Sequence, residues 1–188
     1  HHLERRQRQH DFTGEIRAVT PTSFPQTAPP GANELSALAR LFEQGRFSDA
    51  EQGARSILDR QPGNAQARNI LGLSLLNGGR PAEAVAAFEV LSQHHPDEAL
   101  YWNNLGTALR ATGRLEAAQD AYARALDLQP ANADFLASMG FLEIERKRIV
   151  KARDLLLASL RLRPVDTEVR IYAALMCMEC GEEETARE

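Results

Sequence analysis

The sequence predicts an all-α solenoid, in which pairs of antiparallel helices stack one on the next. Three observations carry that expectation. Pro62, Pro96, Pro130 and Pro164 stand 34 residues apart, and Gly45, Gly79, Gly113 and Gly181 fall on a grid of the same period, with Lys147 in the missing slot. Ala50, Ala84, Ala118, Ala152 and Ala186 keep that register, as do Gly72, Gly106, Gly140 and Ala174. Between these marks apolar residues recur at spacings of three and four, the helical period, and no convincing strand pattern occurs.

The units run at about 31–64, 65–98, 99–132 and 133–166, with a partial fifth at 167–188. In the first, Leu38 takes the place of the first-helix glycine, and Ser48 and Glu51 have capping-box spacing. The third is the clearest. Tyr101, Trp102, Leu105, Ala108 and Leu109 form one amphipathic run, and Gly113 suits the left-handed residue that ends a helix. Leu115, Ala118, Tyr122, Ala125 and Leu126 form a second, which stops before Pro130 because proline cannot continue the ladder. In the fourth, Glu143 occupies a large-residue slot; the fifth breaks off inside its second helix. Asn64, Asp97, Asn132 and Asp166 follow the prolines where N-caps belong. The small-residue series has a steric cause: Gly72, Gly106 and Gly140 are expected to face Ala84, Ala118 and Ala152 where paired helices approach closely.

Trp102-x-x-Leu105-Gly106-x-x-Leu109, then Ala118-x-x-x-Tyr122 and Pro130, resembles the tetratricopeptide repeat (TPR) signature nearly position for position. The second unit keeps Leu71, Gly72, Ala84, Phe88 and Pro96 but has Arg68 in the Trp slot. The resemblance covers about residues 31–188. It implies a right-handed α-solenoid whose concave wall is made of first helices. By that analogy Asn69, Leu73, Leu76, Asn103, Asn104, Thr107, Arg110, Phe141 and Ile144 line a groove for a peptide or helical segment, with Leu175 extending its apolar character. Packing of several of them between neighbouring first helices is the plainer alternative. Asn69, Asn103 and Asn104 suit recognition, since an amide both donates and accepts. If Asn104 serves a ligand, Asn104→Ala leaves the melting temperature nearly unchanged. The family's carboxylate clamp for chaperone tails is not matched: of Asn69, Leu73, Asn104, Asp134 and Ser138 at its slots, only Asn104 fits, and Asp134 repels a carboxylate.

Composition narrows the function classes. With 22 basic and 26 acidic residues the formal net charge is −4, which argues against a dedicated nucleic-acid binder. No apolar run is long enough to span a membrane. Cys177 and Cys180 have C-x-x-C spacing but fall late in a first helix with no further zinc ligands nearby, so they read as packing thiols in a reducing, cytoplasmic setting. His94 and His95 close a helix, where a protonated imidazole complements the dipole, and diverge too far to chelate. No nucleophile elbow, phosphate loop or metal-ligand spacing is present, and no cofactor is expected.

Two segments stand apart. Arg146, Lys147, Arg148, Lys151, Arg153, Arg161 and Arg163 oppose only Asp154 between residues 146 and 163, which reads as a solvated surface or a contact for an acidic partner. Residues 1–30 read as a tag remnant, His1-His2-Leu3-Glu4, followed by a Pro-rich flexible arm holding Pro21, Pro25, Pro29 and Pro30. Self-association through that arm or through the uncovered last repeat is a further expectation, and the open last repeat suggests a piece of a longer array. The functional reading is a non-catalytic protein-interaction scaffold. Its rival is the substrate-recruiting portion of a larger bacterial enzyme, of glycosyltransferase or sulfotransferase type.

Overall fold

The computed structural model describes residues 32–185. The arm at 1–30, and with it the proposed tag and arm-mediated association, lies outside the described residues, as does Ala186. Nine helices and no strands occur among the described residues: α1 (Ala32–Glu43), α2 (Phe47–Arg60), α3 (Ala65–Asn77), α4 (Pro81–His94), α5 (Ala99–Ala111), α6 (Leu115–Leu128), α7 (Ala133–Glu145), α8 (Ile149–Leu162) and α9 (Thr167–Thr185). Each helix packs on the next, and α1, α3, α5 and α7 also touch in sequence as first helices of successive units. This is the all-α solenoid that the 34-residue period predicts. No described helix is long and apolar enough to cross a membrane.

In units one to four the turn is set by two backbone N–H groups and one left-handed residue. In unit three the Gly113 N–H donates to Arg110 O at 2.9 Å and the Arg114 N–H to Leu109 O at 3.0 Å, the Schellman pattern that satisfies the last carbonyls of a helix. Arg46, Arg80 and Arg148 make the same six-residue closure onto Leu41, Leu75 and Glu143. The residue before each arginine is left-handed: φ is 74°, 75° and 76° at Gly45, Gly79 and Gly113, and 58° at Lys147. A lysine there carries roughly 1–2 kcal/mol of strain that glycine avoids.

The close approach between paired helices differs from expectation in its partner. A Cβ on Gly72 would lie 2.6 Å from the Phe88 ring, one on Gly106 2.6 Å from the Tyr122 ring, and one on Gly140 2.7 Å from Leu156. The missing side chain thus makes room for the large residue four positions after the alanine, not for the alanine. Phe88, Tyr122 and Leu156 are fully enclosed as a result. Unit one inverts the arrangement. Leu38 is the large partner on the first helix, and Gly53 and the buried Ala54 open space for it on the second.

Helix starts follow the sequence in part. Asn64 accepts from the Ala67 N–H, Asn132 from Asp134 and Phe135, and Asp166 from Val169. Asp97 does not cap: α5 begins after Glu98, whose side chain makes no capping bond. Ser48 and Glu51 form no capping box either, because α2 starts at Phe47 and leaves Ser48 inside its first turn. Glu51 instead accepts from Arg55 and from Arg80 of the next unit.

The Trp slot acquires a physical meaning. Trp102 Nε1 donates to Pro96 O at 2.9 Å, Arg68 Nη2 to Pro62 O at 2.6 Å and Arg170 Nη2 to Pro164 O at 3.3 Å. The slot needs an N–H that reaches back to the proline carbonyl, and arginine supplies it as tryptophan does. Leu136, at the same place in unit four, has no donor to offer.

The fifth unit departs from the period. Gly181 does not turn the chain; α9 runs through it to Thr185. A glycine inside a helix costs only about 1 kcal/mol, and no described segment folds back beyond it to favour a turn.

Candidate functional site

The candidate site is the row of first helices α3, α5, α7 and α9. Counting from each unit's start, the fifth, ninth and twelfth positions carry Asn69, Leu73 and Leu76; Asn103, Thr107 and Arg110; Ala137, Phe141 and Ile144; and Ile171, Leu175 and Met178. Asn69, Leu73, Leu76, Asn103 and Thr107 are all buried, and so is Asn104 at the sixth position of its unit; Asn103 and Asn104 are each only 1% exposed. The expectation that these six present side chains to a ligand is therefore corrected. Leu73 and Leu76 belong to the main apolar core, as the packing alternative held.

These positions look along the array. Asn104 Nδ2 donates to Asn69 Oδ1 at 3.0 Å, which ties α5 to α3 through a buried amide pair. Arg110 Nη1 donates to Glu145 Oε1 at 2.6 Å, tying α5 to α7. Phe141 meets Tyr172 edge to face, ring centres 5.2 Å apart, tying α7 to α9. One side chain of each of α3, α5 and α7 thus reaches the next first helix, from the fifth, twelfth and ninth positions in turn.

A second polar line crosses unit three. The Tyr122 hydroxyl donates to Thr107 Oγ1 at 3.1 Å, and Thr107 Oγ1 donates to Asn103 O at 3.0 Å. Unit two holds Phe88 and Leu73 in those two slots, so the hydroxyl of Tyr122 and that of Thr107 occur together and satisfy one another inside the core. Burial pushes the Tyr122 phenol pKa up. Burial opposes the charge on Arg110, yet Tyr122 and Glu145 beside it outweigh that and raise its pKa.

Arg110, Phe141 and Ile144 remain partly accessible, with Ser138 and Glu145 nearby on the same wall. They form a short apolar edge flanked by an ion pair, at the junction of α5 and α7.

Most of the basic cluster in unit four is committed internally. Arg146 bonds Gln119 and lies near Glu116, Arg153 bonds Asp154, and Arg163 Nη2 donates to Asp134 Oδ2 at 2.8 Å. Lys151 Nζ donates to Glu143 Oε1 at 2.6 Å, and Arg148 stands 3.5 Å from its other oxygen. Glu143 is fully buried where Leu41, Leu75 and Leu109 stand in earlier units. Lys151 takes the slot that holds Asp49 and Glu83 in units one and two. This exchange of charges was legible on the 34-residue grid but only if both slots were compared at once.

Cys180 is buried, but Cys177 is exposed, contrary to its expected packing role. Its slot matches that of Glu143, which α8 covers; α9 continues straight, so nothing described covers Cys177. His94 Nδ1 lies 2.8 Å from Val90 O, and the His95 and Tyr101 rings meet edge to face. No cluster of three metal-ligating side chains occurs among the described residues.

A family model described as tetratricopeptide repeat matches residues 39–99, 71–133 and 103–167. Among solved structures, pilF of Pseudomonas aeruginosa aligns with a TM-score of 0.72 at 21% identity, over 82% of this chain and 71% of that one. A thermophilic TPR protein of Thermus thermophilus aligns at 0.70 and 22%, over 79% and 82%. A crystal structure of MamA aligns at 0.66 and 20%, over 80% and 97%. At these identities the likeness is one of fold. No curated protein matches the chain.

Proposed function

Because the chain belongs to the tetratricopeptide repeat family, an architecture that serves as a protein-interaction scaffold, we propose that it holds a peptide or helical segment of a protein partner on the inner wall at the α5–α7 junction. The observation that carries this reading is the accessible edge formed by Phe141 and Ile144 beside the Arg110–Glu145 pair. It offers an apolar contact and two charged groups on a rigid support, the combination that orients a bound segment. The buried amides of Asn69 and Asn104 pair with each other behind the wall and are left out of the contact set.

A photoreactive phenylalanine analogue at position 141, expressed in the native host, tests this. The reading expects it to crosslink a partner that the same analogue at Arg124, exposed on α6, does not capture, and expects Ile144→Ser to weaken the crosslink. Equal capture from both positions contradicts it.

A further inference from the structure

Among the described second helices, α8 alone exposes large apolar side chains. Val150 is 51% exposed, Leu157 36% and Leu162 49%. On the 34-residue grid the slot of Val150 holds Ser48, Ala82 and Glu116 in the earlier units, and that of Leu157 holds Arg55, Glu89 and Ala123. Val150, Asp154, Leu157 and Arg161 follow one another at spacings of four, three and four, so they share one helix face. Lys151 and Leu162 flank that face on one side.

The charge changes with the apolar content. Lys151 stands where units one and two have Asp49 and Glu83, and Arg161 where units one and three have Asp59 and Asp127. The carboxylates nearby are already matched: Asp154 accepts from Arg153, and the buried Glu143 accepts from Lys151 with Arg148 close by. The side chains of Lys147, at the head of α8, and Arg161, near its end, make no ion pair with another described residue. An apolar strip thus lies within an excess of positive charge.

A following unit does not cover such a face. Ser48, Ala82 and Glu116 in the Val150 slot, and Asp59, Gln93 and Asp127 in the Arg161 slot, are all exposed, although each of those units is followed by another. A second copy paired through the same face sets cation against cation, which disfavours self-association. Nucleic acid fits poorly, because no aromatic side chain stands between residues 146 and 165 to stack a base.

We propose that the outer face of α8 docks an acidic amphipathic segment of another protein. Apolar side chains of that segment rest on Val150, Leu157 and Leu162, and its carboxylates face Lys147, Lys151 and Arg161. The face belongs to a second helix, so this contact is independent of the one proposed on the first-helix wall.

Fluorescence anisotropy of the full chain with labelled helical peptides as long as the 14-residue α8 tests it. One peptide carries a glutamate face and a leucine face, a second has alanine for leucine, and a third has lysine for glutamate. The glutamate–leucine peptide is expected to bind saturably and more weakly as salt is raised. Leu157→Ser and Arg161→Glu, both at exposed positions, are each expected to weaken it by about fivefold or more at unchanged melting temperature. If Leu157→Ser fails to fold, Val150→Ser takes its place with the same expectation. The proposal is overturned if that peptide does not bind saturably, if either control peptide binds as well, or if the folded variants bind like wild type. Tighter binding of a labelled DNA strand, lost in Arg161→Glu, also overturns it and assigns the face to nucleic acid.

Discussion

Units three and four share a backbone course but stabilise it by different chemistry. Unit three has Leu109 in the large slot of the first helix, Gly113 at the left-handed turn and Trp102 reaching back to Pro96. Unit four has a buried Glu143, a left-handed Lys147 and Leu136, which makes no such bond. Even so, Lys147 and Arg148 donate to Ile144 and Glu143 as Gly113 and Arg114 donate to Arg110 and Leu109. The solenoid geometry is thus held by the turn hydrogen bonds and by the glycine that admits one large side chain. The remaining slots tolerate exchange when the partner slot changes too.

The largest expected effect tests the steric part. Gly106→Ala drives a Cβ into the Tyr122 ring near its attachment, and should cost up to about 3 kcal/mol by chemical denaturation. Gly140→Ala should cost somewhat less, because the closest Leu156 atom it meets is a terminal methyl group at 2.7 Å, which yields more readily than a ring even though the branch carbon follows at 2.9 Å. Equal losses at both sites break the distinction between a rigid and a yielding partner.

The charge exchange comes next. Lys151→Ala removes the nearest cation from a buried carboxylate and should destabilise by about 2 kcal/mol. Glu143→Leu, which restores the residue of the earlier units, should be neutral or stabilising, since a packed apolar side chain replaces a buried ion pair. The opposite signs of the two substitutions are the informative result. Smaller still, Lys147→Gly should stabilise by about 1 kcal/mol through relief of the left-handed conformation, read as a higher denaturant midpoint at unchanged slope.

Much of this was written in the period. Prolines and glycines 34 residues apart define helix ends because their backbone constraints are local. At Asp97 and Ser48 the helix starts lie one or two residues from the expected caps, a shift that local composition does not resolve. Gly106 faces Tyr122 and not the alanine of the pattern, because the space a glycine leaves is filled by the side chain that reaches it. The wall residues were harder. Asn104 has the polarity of a ligand contact, and its burial against Asn69 depends on how closely α3 and α5 approach, a tertiary property that no single helix carries. Arg46, Arg80, Arg114 and Arg148 also keep the period, but what they contribute is a backbone N–H that closes the turn, which any residue but proline could supply.

The smallest expected effect lies in the charged surface shared by units one and two. Burial raises the Glu51 pKa, but Arg55 and Arg80 outweigh it and hold the carboxyl below its usual range. A depressed folded pKa contributes stability that is fully present above the unfolded value of about 4.3 and is lost as pH falls through the folded pKa. Glu51→Gln should therefore lower the melting temperature at pH 7 by no more than about 2 °C, with the gap to wild type closing in strong acid.

The central claim is that Asn69 and Asn104 join successive units from inside the array. Chemical unfolding of Asn69→Ala, Asn104→Ala and the double variant tests it most directly. Each single change should cost about 1–2 kcal/mol, and the double variant should cost less than the sum because one shared hydrogen bond is lost only once. An Asn104→Ala protein as stable as wild type, with strictly additive effects in the double variant, contradicts it.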